Sequence, residues 1–322
     1  MPRPCEKDAY MSESQSTDQV LMIRPVRFAG NAQTAASNRF QNLAEQQAAE
    51  VVQAAACAEF DALVSQLTAA GVNVFVLDDT PEPHTPDSIF PNNWVSFHAD
   101  GVVVLYPMLA PNRRLERRMD VLQHLSGQGL RIRQTIDLTP HEADEKFLEG
   151  TGSLVLDRVH RNAYACISPR TDLDVLGDFA QRLDYELVTF DAVDPDGVPI
   201  YHTNVLMCIG TRFAVLCTEA IAAHERDAVL HALRSTGHEV IEITPAQMQC
   251  FAGNMLELQG AQGLCVALSQ SAFDSLSVAQ RDQLQVLAGP LLVAAIPTIE
   301  RLGGGSVRCM LAEVFLPARA SA

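Results

Sequence analysis

A strand–strand–helix–strand pattern that recurs along this 322-residue chain constrains its fold more than any other feature of the sequence. The first copy is the clearest: residues 92–106 predict a hairpin around an Asp-Gly turn, residues 112–126 a helix, and residues 130–136 a third strand. The copies open at intervals of roughly 50 to 59 residues, at Asn93, Gly152, Asn204, Asn254 and Ser306. Repeats of this length indicate an architecture built from one supersecondary unit.

The fifth copy is complete only if the two ends of the chain come together. Residues 309–316 and 20–26 predict its first two strands, residues 37–70 a long helix, and residues 72–77 its third strand. The helices of the middle copies are predicted at residues 174–183, 220–234 and 277–288. Because the termini share one unit, the sequence predicts an α/β fold in which five ββαβ units close into a fivefold pseudosymmetric α/β propeller. The alternative is an ordinary α/β sandwich.

The composition excludes several functional classes. With 48% hydrophobic and 19% charged residues the chain can bury a large core; we expect a disordered polar tail over residues 1–18 and a single catalytic domain over residues 19–322. The net charge of −16 argues against a nucleic-acid partner, and the longest apolar runs are too short to span a membrane. The eight cysteines form no metal-binding or disulfide pattern and suit a reducing cytoplasm.

The glycine run at residues 303–305 leads through Ser306 to Cys309 and marks a candidate nucleophile loop. Glycines leave the backbone open to a ligand or a tight turn, and the cysteine begins an apolar stretch that reads as a strand. A buried structural cysteine is the alternative, because cysteine is among the most frequently buried residue types.

Three further polar residues stand at or just before the openings of other copies: Asp87, Glu149 and His202. In a ring of such units the openings converge near the axis, so these side chains are expected to face Cys309. A thiolate needs a proton acceptor or positive neighbour, and His202 fits that role and the later protonation of a leaving nitrogen. Glu149 and Asp87 would orient the imidazole or hold N–H groups of a substrate. Taken singly, each also has a structural interpretation as a core histidine or a turn-capping carboxylate.

These motifs together resemble the pentein or amidinotransferase superfamily, which includes arginine deiminases, dimethylarginine dimethylaminohydrolases and citrulline hydrolases. The resemblance spans residues 20–317, and its most specific parts are Gly-Gly-Gly-Ser-Val-Arg-Cys-Met at 303–310 and Asp-Ser-Ile-Phe at 87–90. It implies the pentein fold, with Cys309 as nucleophile, His202 and Glu149 as its catalytic partners, and Asp87 at the nitrogen end of the substrate. It also implies that Arg113 and Arg170 bind substrate, the former through the α-carboxylate.

Two departures from the family pattern bear on the substrate. Family members that act on guanidinium usually carry aspartate where this chain has Asn93, and deiminases where it has Asn204. A carboxylate pair suits a cationic guanidinium, whereas a carboxamide both donates and accepts and so suits a neutral ureido group. We therefore expect a citrulline hydrolase. Hydrolysis of arginine or dimethylarginine is the alternative, followed by amidino transfer and by a non-catalytic binding protein on the same fold.

The resemblance implies no metal and no organic cofactor, only a small amino-acid substrate. The long helix predicted at residues 37–70 has an apolar face that is a candidate surface for a homodimer. Residues 27–38 are a candidate loop for closing over the substrate.

Overall fold

Five three-stranded sheets carry the repeat in the computed structural model, which describes residues 13–35, 37–42 and 48–319. In chain order the strands are β1 (Gln19–Arg24), β2 (Asn73–Asp78), β3 (Val95–Phe97), β4 (Val102–Leu105), β5 (Gln134–Asp137), β6 (Val155–Asp157), β7 (Asn162–Cys166), β8 (Glu186–Phe190), β9 (Met207–Ile209), β10 (Phe213–Leu216), β11 (Glu239–Glu242), β12 (Leu256–Gly260), β13 (Gly263–Ser269), β14 (Leu291–Ala294) and β15 (Ala312–Glu313).

The helices connect the second and third strands of each sheet or open the next unit. In chain order they are α1 (Ala49–Ala69), α2 (Met119–Gly127), α3 (Gly150–Ser153), α4 (Leu173–Leu183), α5 (Thr203–Leu206), α6 (Arg226–Ser235), α7 (Pro245–Gln249), α8 (Gln270–Ser275), α9 (Val278–Ala288) and α10 (Pro297–Gly303). Local sequence sets several boundaries: Asp172 caps the start of α4, and Ser277 with Gln280 forms a capping box at α9. Among the described residues, no helix combines the length and apolar character needed to cross a membrane.

Every sheet has the same plan, an antiparallel pair extended by a parallel third strand. The orders are β3-β4-β5, β6-β7-β8, β9-β10-β11, β12-β13-β14 and β15-β1-β2. The last sheet joins the chain ends as predicted, with Val20 opposite Glu313 and Leu21 opposite Ala312. Strand contacts link β6 to β9, β9 to β12, and β15 to β3. The five predicted units are therefore present, and the two-layer sandwich is excluded.

Two predicted elements of the fifth unit differ from the structure. The helix expected at 37–70 begins only at Ala49; residues 37–42 form turns, and residues 36 and 43–47 lie outside the described residues. Polar side chains explain the difference, since Asn38 donates to the carbonyl of Gly304 instead of supporting a helix. The strand expected at 309–316 is a 3-10 turn at Val307–Met310 followed by the two residues of β15. Its continuous apolar character reflects burial on all sides, which periodicity cannot distinguish from a strand.

The apolar face of α1 packs against other elements of the same chain. Val52, Ala56, Phe60, Leu63 and Leu67 are buried, and the helix contacts α10 and β14. This face is therefore not available as the dimer surface that the sequence suggested.

The end of the expected polar tail is packed rather than frayed. Residues 1–12 lie outside the described residues, but Gln15, Ser16 and Thr17 are buried. The Gln15 amide donates to the carbonyl of Leu156 at 2.9 Å and accepts from the backbone N–H of Arg158 at 2.8 Å. This short segment therefore belongs to the folded core, because it satisfies backbone groups of the second sheet.

Replacing Gln15 by alanine tests this role. The substitution leaves the N–H of Arg158 and the carbonyl of Leu156 buried without their partner, so the free energy of unfolding is expected to fall by about 1–3 kcal/mol. Urea unfolding measures it. Gln285→Ala, on the exposed face of α9, is the matched control and should change stability by less than about 0.5 kcal/mol. Equal effects of the two substitutions would show that residues 13–17 do not contribute to the fold.

Candidate active site

Short helical turns at the unit openings bring the predicted site residues together. The 3-10 turn Pro91–Asn93 contacts α3 and the turn Val307–Met310, and α3 also contacts α5. Each turn carries or follows one chemically distinct side chain. Asp87, His202 and Cys309 therefore line a common pocket although they lie far apart in the sequence, and Glu149 contacts His202.

The pocket is narrow and opens partly to solvent. Its lining includes six of the eight predicted site residues: Asp87, Asn93, Arg113, Arg170, His202 and Cys309. Glu149 lies behind His202 and is hydrogen-bonded to its imidazole. Asn204 lies behind Cys309 and is hydrogen-bonded to its sulfur. The remaining lining residues are Asn38, Phe90, Tyr201 and the glycines 303–305.

His202 and Glu149 form a buried pair. The imidazole Nε2 lies 2.9 Å from Glu149 Oε2, and both side chains are at most 3% exposed. Burial lowers the pKa of His202 to about 4, although the Glu149 carboxylate acts in the opposite direction. The imidazole is therefore neutral at neutral pH and able to accept a proton.

Glu149 stays ionised despite its burial. Burial opposes its charge, but Arg170, His202 and Arg113 outweigh that effect and hold the pKa of this carboxyl far below its ordinary value. Arg170 Nη1 lies 3.3 Å from Oε2, and the backbone N–H of Leu109 donates to Oε1 at 3.1 Å. The carboxylate thus fixes the orientation of the imidazole.

Asp87 presents one free oxygen to the pocket. Its Oδ2 accepts hydrogen bonds from Asn31 at 2.8 Å and Thr34 at 3.3 Å, whereas its buried Oδ1 has no partner. Asn31 and Thr34 belong to residues 27–38, the loop expected to close over the substrate, and they do contact the pocket wall. A buried oxygen without a donor is costly unless a ligand supplies one.

Arg113 is committed to protein groups. Its Nε and Nη2 bond both oxygens of Glu116 at 2.9 Å, and its Nη1 donates to Asn93 Oδ1 at 2.8 Å. The side chain is 2% exposed. The expected contact with a substrate carboxylate is therefore replaced by an internal ion pair, and the guanidinium holds the Asn93 amide.

Arg170 is tied to the loop that covers the pocket. It donates to the hydroxyl of Ser37 at 2.6 Å and to the carbonyl of Thr34 at 3.3 Å, and it lies over the ring of Tyr201. Arg170 also bonds the carboxylate of Glu149, so its neutral hydrogen-bond partners are the groups at Ser37 and Thr34.

The glycine run brings Cys309 to the pocket. Gly304 has φ +65°, a conformation that favours glycine, and its carbonyl accepts a hydrogen bond from the Tyr201 hydroxyl at 2.7 Å. Ser306, at the end of the run, donates to the buried Glu300 at 2.6 Å. These contacts fix the turn that ends at the cysteine, which is 3% exposed.

The sulfur contacts two side-chain amides. Asn204 Nδ2 lies 3.5 Å and Asn254 Nδ2 3.3 Å from Sγ. Asn254 was not predicted to belong to the site, although it opens the fourth copy of the repeat, a position equivalent to Asn93 and Asn204. This position at the opening of a copy was the sequence signal that could have identified Asn254 as a site residue. Glu116 was missed because nothing in its sequence context distinguishes it from other charged residues of its segment.

Five ββαβ units around a polar pocket that holds a cysteine define an enzyme of the pentein class. The sequence matches the family model described as N,N dimethylarginine dimethylhydrolase, eukaryotic, over residues 24–316. The chain belongs to this family of hydrolases, and with it to the pentein/amidinotransferase superfamily. Curated protein sequences give no match.

Solved structures share the fold. The substrate-bound N-terminal domain of ArgZ, an arginine dihydrolase from the ornithine–ammonia cycle in cyanobacteria, superposes with a TM-score of 0.72 at 17% identity, covering 92% of this chain and 97% of that one. The complex of AgrE with L-arginine superposes with a TM-score of 0.70 at 19% identity, covering 94% of this chain and 41% of that one. DDAH from Pseudomonas aeruginosa, complexed with citrulline, superposes with a TM-score of 0.63 at 12% identity, covering 93% of this chain and 99% of that one.

The backbone of Gly152 packs directly on the site, which predicts that alanine is not tolerated there. A Cβ at this position would lie 2.5 Å from Asn93 Nδ2 and 2.7 Å from His202 Nδ1. Gly152→Ala should displace both side chains and lower kcat/KM about 100-fold. Gly177→Ala on α4, where a Cβ meets nothing within 4 Å, is the control and should keep full activity. Normal kinetics of a folded Gly152→Ala protein would contradict this packing.

The low pKa of His202 predicts an unusual acid limit for the reaction. Because the pKa is about 4, the imidazole stays neutral as the pH falls through 6.5, where a free histidine gains its proton. The value of kcat/KM for the free enzyme should therefore hold to about pH 5 and fall only as the pH approaches 4. A pH–rate profile measures this, with circular dichroism at each pH as the control for unfolding. Loss of activity of the folded enzyme near pH 6.5 would contradict the prediction.

Proposed function

We propose that this protein hydrolyses the ureido group of citrulline to ornithine, carbon dioxide and ammonia through a covalent intermediate on Cys309. The observation that carries the proposal is the orientation of Asn93. Arg113 can only donate hydrogen bonds, so the Asn93 atom that it contacts at 2.8 Å is the amide oxygen. The Nδ2 donor is then turned away from Arg113, and it is buried without a partner.

An unpartnered donor favours a substrate that carries an acceptor. The ureido group has a carbonyl oxygen for Asn93 Nδ2 and N–H groups for the free Oδ1 of Asp87, whereas a guanidinium has only donors. The pair Arg113–Glu116 keeps the amide from rotating to offer its oxygen instead. The two orphaned atoms of the pocket thus complement one ureido group.

The proposed reaction gives a role to each of the other side chains. The Cys309 sulfur attacks the ureido carbon, and neutral His202 accepts the thiol proton. The bond from that carbon to the ornithine nitrogen breaks as His202 returns the proton to this nitrogen, which releases ornithine and leaves a carbamoyl thioester. Water, deprotonated by His202, then displaces the sulfur, and the carbamate decomposes to carbon dioxide and ammonia.

The amino-acid end of the substrate is assigned to Arg170. The donors of Arg113 are engaged by Glu116 and Asn93, whereas Arg170 bonds neutral groups at Ser37 and Thr34 that a carboxylate can displace. Displacement would also connect substrate binding to the loop over the pocket.

A guanidinium substrate is the second candidate. Asp87 is a carboxylate in the pocket lining, Glu149 lies behind His202, and carboxylates favour a cation. Arginine or dimethylarginine would then lose ammonia or dimethylamine and leave citrulline. The named activity of ArgZ, an arginine dihydrolase, is consistent with this candidate.

The proposal includes a closed ring and a reducing location. The strand contacts β6 to β9, β9 to β12 and β15 to β3 support closure of the five units around the pocket. At the other two junctions, α3 contacts β3 and the turn Val307–Met310 contacts β13. The seven cysteines of the described residues are all free thiols, as expected in the cytoplasm.

Incubation with citrulline, arginine and dimethylarginine tests the proposed reaction. Citrulline should yield equal amounts of ornithine and ammonia, and Cys309→Ala should abolish the products because it removes the nucleophile. Formation of citrulline from arginine, with no ornithine from citrulline, would reject the proposal in favour of the second candidate. Product that forms only when glycine is added would indicate amidino transfer instead.

Asn93→Asp extends the same assay. Replacing the donor by a carboxylate should lower kcat/KM for citrulline by about 100-fold or more and raise the ratio of arginine to citrulline turnover. Asn73→Asp, the same change on exposed β2, should leave both substrates unaffected.

A further inference from the structure

Asn254 holds the sulfur of Cys309 with an amide whose orientation is fixed. Its side chain is fully buried, and its Nδ2 donates to the backbone carbonyl of Asn204 at 2.9 Å. A carbonyl can only accept, so this atom is the nitrogen rather than the oxygen of the amide. The same nitrogen lies 3.3 Å from Sγ, closer than the Oδ1 of this amide, which lies 3.7 Å from Sγ and accepts from the thiol form.

The basic side chains of the pocket are hydrogen-bonded to other groups. His202 bonds Glu149, and Arg113 bonds Glu116, so neither is bound to the sulfur. Within the described part of the chain, the side-chain hydrogen bonds to Sγ come from Asn204 and Asn254. The Asn204 amide is not fixed in this way, because no donor bonds its Oδ1.

We propose that Asn254 is a catalytic residue that stabilises the anionic form of the Cys309 sulfur and holds it at the pocket wall. The proposal rests on Cys309 being the nucleophile, as proposed above. An N–H donor bonds a thiolate more strongly than a thiol, so a fixed donor shifts the sulfur toward its reactive form. Asn254 also joins two units, because its amide connects the carbonyl of Asn204 to the turn at Val307–Met310.

Alkylation of Cys309 measures this role without any substrate. The sulfur, once its proton has left to solvent, displaces iodide from iodoacetamide, and mass spectrometry of the Cys309 peptide gives the rate separately from the other cysteines. Asn254→Asp keeps the size of the side chain but replaces the donor by an acceptor. At pH 7.5 its alkylation rate should fall about tenfold or more. Asn73→Asp, an exposed aspartate substitution, should react like the wild type.

A purely structural role predicts the opposite change. Loosening of the buried turn would expose the sulfur and speed its alkylation, whereas loss of the donor slows it. Asn254→Ala, which removes the donor and opens space, should also react more slowly than the wild type, and it serves if Asn254→Asp fails to fold by circular dichroism. A folded variant that reacts as fast as the wild type, or faster, would overturn the inference.

The assay separates this inference from the proposed reaction. If Cys309 of the wild type is alkylated in an Asn254-dependent way but citrulline is not consumed, the proposed substrate fails and the role of Asn254 stands. If citrulline is consumed and alkylation is the same in Asn254→Asp, the role of Asn254 fails and the reaction stands.

Discussion

The buried carboxylate of Glu149 is the group on which the rest of the site depends. Its Oε2 lies 2.9 Å from His202 and 3.3 Å from Arg170, and its Oε1 accepts the N–H of Leu109. Removing one partner of such a buried pair typically costs about 3–5 kcal/mol, because the other charge remains without compensation. Glu149 therefore does more than orient the imidazole: it also compensates the buried charge of Arg170.

Side-chain amides acquire a defined chemistry here from neighbours that can only donate or only accept. The guanidinium of Arg113 makes Asn93 an acceptor on one side and a donor on the other, and the carbonyl of Asn204 does the reverse for Asn254. An amide would otherwise rotate to suit either a cation or a carbonyl. The supporting partners are thus part of the specificity of the site, although only one of the two lines the pocket.

The sequence predicted the fold better than it predicted the hydrogen bonds and ion pairs within the site. Helix α4 begins one residue before the helix predicted at residues 174–183 and ends with it, and the glycine run lies beside Cys309 as predicted, because apolar periodicity and turn residues report local structure directly. The partners of Arg113 were not predictable, because a charged residue three positions along the chain is more often a solvated neighbour than a buried one. Gln15 was missed for a related reason: a polar segment looks disordered until the backbone groups that it satisfies are known.

The pairing of β15 with β1 links the position of Cys309 to the first strand of the described chain. Strand β15 contains two residues, and its pairing with β1 fixes Glu313 opposite Val20. Arg308 then donates to Glu313 at 2.8 Å and to the carbonyl of Leu311, which sets the turn that carries Cys309. The first strand of the chain thereby fixes the position of the candidate nucleophile near its end. This pairing joins residues almost 300 positions apart, so the place of the thiol in the pocket depends on a contact that spans nearly the whole described chain.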